Sequence, residues 1–182
     1  MSNRFDIAGT PLDGLIRIER KRLGDERGWF ERMFCGDELL GAGWVWPIAQ
    51  VNRSLTSRRG TVRGMHFQRA PHAEAKFVSC LAGEVFDVAV DLREGSATYG
   101  RWHGEILSAD NARSLFIPQG FAHGFQTLSE NVEMLYFHSK AYAAEAEDGV
   151  RPNDPVLAIA WPLPISEMSP RDHGHKLLRE RN

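Results

Sequence analysis

Short runs of strand-forming residues, in which apolar and polar positions tend to alternate, recur along most of the chain. Glycine, proline, asparagine or serine lies between most of them, and these residues favour turns. Such a pattern is typical of an antiparallel sandwich or barrel. The runs that predict strands are 15–23, 29–34, 50–54, 63–68, 76–81, 84–92, 102–107, 114–118 and 133–138. We therefore predict an all-β fold, an antiparallel β-barrel whose cavity can hold a small ligand.

Two segments depart from this pattern. Residues 35–42 contain helix-forming residues and are followed by a glycine that can end a helix, so we predict a short helix there. From Tyr142 onward the chain is richer in Ala, Glu, Pro and Asp. Residues 153–155 form a turn signal, and the prolines of residues 161–164 prevent a continuous helix. We expect this part to wrap the barrel and to end in a polar tail from His173.

Composition narrows the function classes. A chain of 182 residues fits a single domain, residues 1–182, with a substantial core. Its formal net charge is -2, so the overall balance indicates neither a nucleic-acid nor a membrane surface. No segment approaches the ~20 apolar residues of a membrane span, and no leader-like pattern begins the chain. Cys35 and Cys80 are far apart and suit a reducing compartment, which together predicts a soluble cytoplasmic protein.

The first candidate for chemistry is the run RGMHFQ at residues 63–68, which brings a cation, a turn, an imidazole and an amide together near one end of a strand. An imidazole that faces a cavity beside fixed cations suits proton abstraction near an anionic ligand. A lone strand histidine is more often a structural hydrogen-bonding group. Strict alternation predicts His66 and Gln68 on one face of the strand and Arg63 on the other.

The second candidate is the turn at residues 118–123, which reads Pro-x-Gly-x-x-His and ends at His123. This spacing resembles the second motif of cupins, small double-sheet barrels whose histidines often bind a metal. The first cupin motif usually supplies His-x-His and a later glutamate, whereas this chain has His66 followed by Gln68, with Glu74 as the nearby carboxylate. A transition-metal site needs about three protein ligands. We therefore expect no catalytic metal.

A series of further motifs extends over nearly the whole chain. They lie at 25–28, 50–54, 63–68, 71, 75–76, 87–93, 96–100, 117–125, 153–155, 161–162 and 169–172. In this order they resemble the dTDP-4-dehydrorhamnose 3,5-epimerase family, metal-independent cupins that act on nucleotide-linked 4-keto sugars. The resemblance implies a cupin-like jelly roll with short peripheral helices and no cofactor.

The same resemblance assigns four residues to the reaction. A proton next to a ketone can be removed if the enolate is stabilised, and inversion requires reprotonation from the opposite face. The resemblance implies that His66 is the base and that Asp172 orients it. It places the ammonium of Lys76 near the C4 oxygen, and it makes Tyr136 the acid on the other face.

Eight further residues match positions that bind the sugar nucleotide in this family. Guanidinium groups suit diphosphate oxygens, and an aromatic ring can stack on the base. By resemblance the set is Arg27, Gln50, Asn52, Arg63, His123, Tyr142, Glu147 and Arg171. The chain also departs from the family pattern: Arg32 stands where a ligand-contacting glutamate is usual, and residues 137–139 replace a commoner lysine-containing run. We expect these departures to affect the choice of nucleotide base more than the proton transfer.

The resulting hypothesis is an isomerase that epimerises C3, C5 or both of a nucleotide-diphospho-4-keto-6-deoxy sugar for dTDP-rhamnose, polysaccharide or glycosylated-metabolite synthesis. The resemblance also implies a homodimer in which the Arg27 region completes the partner's site. Three alternatives stay open. They are an enzyme that epimerises one carbon or moves the keto group of another sugar nucleotide, a non-catalytic sugar-nucleotide-binding cupin, and a metal-dependent cupin enzyme.

Overall fold

A computed structural model describes residues 4–181 and consists mainly of antiparallel strands. The larger sheet contains, in spatial order, β1 (Phe5–Gly9), β2 (Ile16–Arg20), β10 (Arg113–Ile117), β7 (Lys76–Ala82), β12 (Val132–His138) and β5 (Gln50–Thr56). The smaller sheet contains β13 (Glu147–Gly149), β6 (Val62–Gln68), β11 (Phe121–Thr127), β8 (Glu84–Asp91) and β9 (Trp102–Ser108). A separate hairpin pairs β3 (Arg22–Asp25) with β4 (Gly28–Glu31). The predicted all-β antiparallel architecture is confirmed.

The helices are short. Helix α1 (Gly36–Leu39) continues into a 3₁₀ turn at Leu40–Ala42, which confirms the helix predicted at residues 35–42. Helix α2 (Pro170–Gly174) begins after Ser169. Two further 3₁₀ turns lie outside the strands, at Ala144–Ala146 and Leu178–Glu180. Between residues 4 and 181 no helix has both the length and the apolar character needed to cross a membrane.

The main core lies between the two sheets. Val78, Leu115 and Met134 of the larger sheet pack with Leu107 and Phe125 of the smaller one, and all five are almost fully buried. Burying an aliphatic or aromatic side chain of this size stabilises the fold by roughly 1.5–3 kcal/mol. The alternation in the sequence therefore predicts the core correctly, because each strand turns one face toward the opposite sheet.

Strand β7 is buried on both faces. Its Val78 faces the main core, whereas Phe77 packs on the other side with Trp44 and Phe116. Phe34 meets the rings of Trp44 and Phe77 edge-on, with centroids 5.1 Å and 5.7 Å apart. The segment around α1 thus covers the outer face of the larger sheet, which explains why the sequence of β7 is apolar at consecutive positions.

The prediction of a polar tail from His173 is wrong. Leu177 and Leu178 are buried, and the amide of Leu178 donates a hydrogen bond to Asp154 Oδ2. Val150 and Lys176 form a parallel bridge that holds the segment against the end of β13. The adjacent Leu177 and Leu178 were the sequence signal for this docking, because leucine side chains are stabilised by burial and not by exposure in a polar tail.

The alternation predicted for residues 63–68 is also wrong in one respect. Arg63 and His66 both line the cavity described below, whereas Met65 is in the core. His66 pairs with His123 and Arg63 pairs with Phe125, so β6 has one more residue than β11 between these two pairs. This β-bulge shifts the side-chain alternation and brings the cation and the imidazole to the same cavity.

Candidate active site

A cavity of about 960 Å³ is lined by strands of both sheets and by helix α2. Strands β5, β7 and β12 contribute from the larger sheet, and β6 and β11 contribute from the smaller one. A volume of this size accommodates a ligand as large as a nucleotide conjugate. The residues predicted from the sequence that line it are Gln50, Asn52, Arg63, His66, Lys76, His123, Tyr136, Tyr142, Glu147, Arg171 and Asp172.

His66 and Asp172 form a hydrogen-bonded pair in the lining of this cavity. The distance from His66 Nε2 to Asp172 Oδ1 is 2.8 Å, although 106 positions separate the residues in the sequence. Asp172 is 2% exposed, whereas the His66 side chain is one-quarter exposed. The carboxylate can accept a hydrogen bond from the Nε2–H group of a neutral imidazole, and the lone pair of that ring is then on Nδ1.

Two local features place the Asp172 carboxylate. Ser169 caps α2 by accepting a hydrogen bond from the Asp172 amide at 3.1 Å, and Pro170 suits the first helical position. The amide of Gly64 lies 3.3 Å from Asp172 Oδ2. Gly64 has a φ of +138°, and a Cβ there would come within 2.5 Å of the Gly124 Cα. A glycine is therefore needed for β6 and β11 to approach each other so closely.

Asp172 is held in its ionised form. Burial opposes its ionisation, but the hydrogen bonds and the charge of His66, together with the Gly64 amide, hold the pKa of this carboxyl below its usual range. Arg171 lies nearby, with Nε 3.7 Å from Asp172 Oδ1 and Nη2 3.4 Å from His66 Nε2. A charged carboxylate behind an imidazole stabilises the imidazolium that forms when the ring accepts a proton.

Lys76 projects into the cavity from the start of β7. Its ammonium contacts the His66 carbonyl oxygen at 3.0 Å and Glu74 Oε1 at 3.0 Å. Lys76 and Glu74 are each 7% exposed, and the second carboxylate oxygen of Glu74 has no hydrogen-bond partner. The ammonium is thus fixed close to the backbone of the imidazole residue, where it can stabilise a developing oxyanion.

Tyr136 faces the cavity from β12, the strand next to β7. Its hydroxyl lies 3.0 Å from Ser54 Oγ on β5. Burial, only partly offset by the Ser54 hydrogen bond, raises the pKa of Tyr136 well above its usual value. The phenol therefore keeps its proton at neutral pH, as a proton donor must.

His123 lies opposite, on β11, and is paired with Asp87 of β8. The distance from His123 Nε2 to Asp87 Oδ2 is 2.9 Å, and both side chains are buried. Burial raises the pKa of Asp87, although the nearby His123 opposes that shift. The ring of His123 meets the ring of Tyr136 at an interplanar angle of 67°, with centroids 6.2 Å apart. This pair therefore supports the wall against which Tyr136 packs.

Polar side chains around the mouth form a connected rim. Gln50 Oε1 accepts a hydrogen bond from the Tyr142 amide at 2.9 Å, and Gln50 Nε2 donates to Asn52 at 3.0 Å. The Tyr142 hydroxyl donates to Glu147 Oε2 at 2.8 Å, and Arg171 pairs with Glu147 Oε1 at 2.8 Å. The Tyr142 side chain is exposed and can receive a flat ligand group.

The two remaining predicted arginines differ in position. Arg63 lines the cavity and donates to Thr56 Oγ1 at 3.2 Å. Arg27 lies in the hairpin between β3 and β4, is largely exposed and pairs with Asp25 at 2.5 Å. It does not line the cavity of its own chain. Arg32, the departure noted in the sequence, pairs with Glu38 instead of reaching the cavity.

Several site residues were not found from the sequence. Ser54, Asp87 and His175 contact predicted catalytic or ligand-binding side chains, and Glu74 was considered only as a metal ligand. Glu74 precedes Lys76 by two positions, and His175 follows Asp172 by three. Such short separations could have indicated that each pair of side chains lies close together. Ser54 and Asp87 lie within the motifs at 50–54 and 87–93, but no local pattern indicated their roles, because their partners lie on other strands.

The residues that a cupin metal centre would use have other partners. His123 is bonded to Asp87, and Glu74 is paired with Lys76. A different group, made of His66 and Asp172 from the cavity lining and the adjacent His175, brings three potential ligand atoms within 4.8 Å of one another.

Comparison with known proteins agrees with this geometry. The family model described as dTDP-4-dehydrorhamnose 3,5-epimerase matches residues 9–180. The dTDP-4-dehydrorhamnose 3,5-epimerase of Salmonella typhimurium is 43% identical over 176 residues, covering 94% of this chain and 94% of that protein. A dTDP-4-dehydrorhamnose 3-epimerase of Streptomyces niveus is 41% identical, covering 93% of this chain and 82% of that protein.

A solved structure extends the similarity to the whole fold. The dTDP-6-deoxy-D-glucose-3,5-epimerase of Legionella pneumophila, in complex with dTDP-4-keto-L-rhamnose, superimposes with a TM-score of 0.91. It is 44% identical in sequence, and the match covers 96% of this chain and 93% of that one. The predicted cupin-like class is confirmed by this similarity. On sequence, fold and matched length, the chain belongs to the dTDP-4-dehydrorhamnose 3,5-epimerase family.

Proposed function

We propose that the protein epimerises a dTDP-4-keto-6-deoxy sugar at C3, C5 or both, through an enolate. The observation that carries this proposal is the convergence of His66 with its Asp172 partner, Lys76 and Tyr136 on one cavity. A base, a cation and a protonated phenol are the three groups that an inversion next to a ketone requires. Family membership supports the nucleotide-sugar class of the substrate.

The first step is proton removal by His66. Its Nδ1 takes the proton from C3 or C5, and the electron pair of that C–H bond forms a double bond to C4. The C4 oxygen becomes an enolate oxygen, which the Lys76 ammonium stabilises. Asp172 stabilises the imidazolium that results, because its carboxylate stays ionised and remains 2.8 Å from Nε2.

The second step is reprotonation from the opposite face. Tyr136 donates its hydroxyl proton to the same carbon, the double bond returns to C4=O, and the configuration is inverted. The Ser54 hydroxyl, 3.0 Å away, can donate a hydrogen bond to the resulting tyrosinate. Exchange with solvent then returns a proton to Tyr136 and removes one from His66, which closes the cycle.

The rim supports binding of the nucleotide part. Arg63 and Arg171 provide charge for the diphosphate, and the exposed ring of Tyr142 offers a stacking surface for the base. Gln50 and Asn52 supply amide groups at the same opening. We assign His123 to the wall of the cavity that contacts the sugar, and Glu147 to the rim that surrounds the nucleotide part.

We also infer a homodimer in which Arg27 reaches the partner's cavity. Trp29 and Phe30, on the same hairpin, are each 60% exposed, and exposed aromatic patches of this kind mark protein interfaces. Strand β5 forms one edge of the larger sheet beside the cavity and exposes Leu55. An unpaired edge strand is a surface that a second chain can cover. A cytoplasmic location of this single-domain enzyme belongs to the same proposal.

Product analysis tests the function. dTDP-4-keto-6-deoxyglucose is incubated with the protein, and the ring-proton coupling constants of the product are measured by NMR. We expect an inverted C3, an inverted C5 or both, and the pattern distinguishes a single from a double epimerase. Binding of the sugar nucleotide without any inversion or exchange would instead identify a non-catalytic binding protein.

A further inference from the structure

His175 lies beside the His66–Asp172 pair but has no part in the proposed proton transfer. It follows Asp172 by three positions, so that the two side chains lie on the same face of one helical turn. Its Nε2 is 3.9 Å from Asp172 Oδ1, the same oxygen that contacts His66. The rings of His175 and His66 meet edge-on, with centroids 5.5 Å apart and an interplanar angle of 69°.

The environment of His175 leaves one ring nitrogen unused. Its Nε2 is buried and makes no hydrogen bond. The ring packs against Gly149, where a Cβ would come within 2.4 Å of this nitrogen. Gly149 is the residue of β13 that pairs with His66, so the same strand pair positions both imidazoles. A buried ring nitrogen without a partner is unusual and marks an available ligand position.

We propose that His66 Nε2, Asp172 Oδ1 and His175 Nε2 form a binding site for a late first-row transition-metal ion such as Zn²⁺, and that this ion inhibits the enzyme. Two imidazoles and a carboxylate are a donor set that suits such ions, whereas Mg²⁺ and Ca²⁺ require more oxygen ligands. Three protein ligands leave a fourth position for water. The site thus differs from the cupin metal centre considered from the sequence, because it uses neither His123 nor Glu74.

The distances are close to those that Zn²⁺ requires. A tetrahedral site with metal–ligand bonds of about 2.0–2.1 Å separates its ligand atoms by roughly 3.3 Å. The His66–Asp172 separation of 2.8 Å and the His175–Asp172 separation of 3.9 Å lie on either side of that value. All three ligand atoms lie within 4.8 Å of one another, so the imidazoles need to approach each other only modestly.

Inhibition follows from which ring nitrogen of His66 carries the proton. In the proposed mechanism Nε2 carries the proton and Nδ1 carries the lone pair. A metal ion bound at Nε2 takes the lone pair of that nitrogen, so the proton of the neutral ring moves to Nδ1. The ring then has no lone pair for the substrate. This inhibitory consequence rests on the proposed function, whereas the metal site itself does not.

Arg171 opposes metal binding. Its guanidinium lies 3.4 Å from His66 Nε2 and 3.7 Å from Asp172 Oδ1, and a cation there repels a divalent ion. The side chain is half exposed and is also paired with Glu147, so it can turn away from the dyad. Removing this charge should therefore tighten metal binding, whereas removing His175 should weaken it.

Cobalt titration tests the site directly. Co²⁺ replaces Zn²⁺ at such sites and absorbs visible light with an intensity and wavelength that depend on its ligands. Each protein is titrated with Co²⁺, and Zn²⁺ is then added in competition. The variants are His175→Gln, Arg171→Gln and the control His173→Gln, since His173 is an exposed histidine of the same helix and lies outside the cavity.

We expect one Co²⁺ per chain with a spectrum of low coordination number that Zn²⁺ abolishes. His175→Gln should weaken binding by more than about tenfold, Arg171→Gln should strengthen it, and His173→Gln should leave it unchanged. Equal affinities for the wild type and His175→Gln would overturn the site, and Arg171→Gln decides the matter if the His175 variant does not fold. Metal binding at this site without loss of epimerisation would overturn the claim that the metal inhibits the enzyme, but it would support the metal site itself. An inactive metal-free protein would count against the proposed function alone.

Discussion

Lys76 and Glu74 form an ion pair that is almost completely removed from solvent. The ammonium lies 3.0 Å from Glu74 Oε1, and the other carboxylate oxygen has no hydrogen-bond partner. Removing one member of a buried pair leaves an uncompensated charge, which is far more costly than losing an exposed pair. The positive charge that the reaction needs at the C4 oxygen therefore depends on a carboxylate that does not touch the reacting carbon.

Glu74→Gln should lower the turnover of the enzyme. The amide oxygen can still accept a hydrogen bond from Lys76, but the negative charge is gone, so the buried ammonium is no longer held by an ion pair. We expect kcat to fall by roughly tenfold or more, which corresponds to about 1.4 kcal/mol of transition-state stabilisation. The rate is measured by NMR, with Glu130→Gln as a control at an exposed loop position. An unchanged kcat would show that Glu74 has only a packing role.

Tyr136→Phe should separate proton removal from inversion. The base His66 remains, so the substrate proton can still leave and return on the same face. We expect inversion to fall by about 10²–10⁴-fold, while exchange of the C3 or C5 proton with deuterium continues with retained configuration. The measurement is NMR of the substrate recovered from heavy water. Equal loss of exchange and inversion would contradict the role of Tyr136 as the acid on the opposite face.

Asp172→Asn should keep the shape of the dyad but remove its charge. The amide can donate a hydrogen bond to the imidazole and thereby favour the wrong tautomer, and it cannot stabilise the imidazolium. A comparable substitution in serine proteases lowers kcat by about 10⁴-fold, and we expect a loss of about 10³-fold or more here. Steady-state kinetics gives kcat, and circular dichroism checks the fold. Activity within tenfold of the wild type would exclude Asp172 as the partner of the base.

His138 should make the protein less stable in mild acid. Burial, and to a lesser extent the charge of Lys76, lowers the pKa of His138 to about 4, with Glu74 opposing and His123 adding to the effect. Between pH 6.5 and 4 the unfolded chain binds a proton that the folded chain does not, so the free energy of unfolding decreases as the pH falls. The loss should amount to about 1–3 kcal/mol. It should be smaller in His138→Gln.

Urea unfolding at pH 7 and at pH 4.5 measures this difference. The quantity of interest is the change in unfolding free energy between the two pH values, compared between the wild type and His138→Gln. An equal change in both proteins would show that His138 titrates normally in the folded state. His72, whose side chain is partly exposed and lies 3.8 Å from Glu145, provides the control substitution His72→Gln.

Most of the fold followed from local patterns. Alternating residues predicted the strands around Val78 and Met134, because each strand has one face in the core. The bulge that brings Arg63 to the same cavity as His66 was not predictable in this way, since it depends on how β6 pairs with a distant strand. The C-terminal docking was missed because the polar residues before Leu177 obscured two buried leucines.

The residues of the candidate site were predicted mainly by the family resemblance, and their contacts with one another were not predicted by local patterns. The roles of Lys76 and Tyr136 came from a family resemblance, because a lysine at the start of a strand and a tyrosine within a strand have no local pattern that indicates catalysis. The pairing of His66 with Asp172 joins residues 106 positions apart, and no local rule specifies such a contact. Glu74 could have been recognised, because it lies only two positions before Lys76, and a buried lysine needs an acidic partner nearby.

The central claim is that His66 removes a proton next to the ketone. Proton NMR in heavy water tests it most directly, with dTDP-4-keto-6-deoxyglucose as substrate and the wild type, His66→Asn and His72→Asn as enzymes. The account predicts loss of the C3 signal, the C5 signal or both with the wild type and His72→Asn, and no loss with His66→Asn. Exchange at an undiminished rate in His66→Asn would contradict the account, because another group would then be the base.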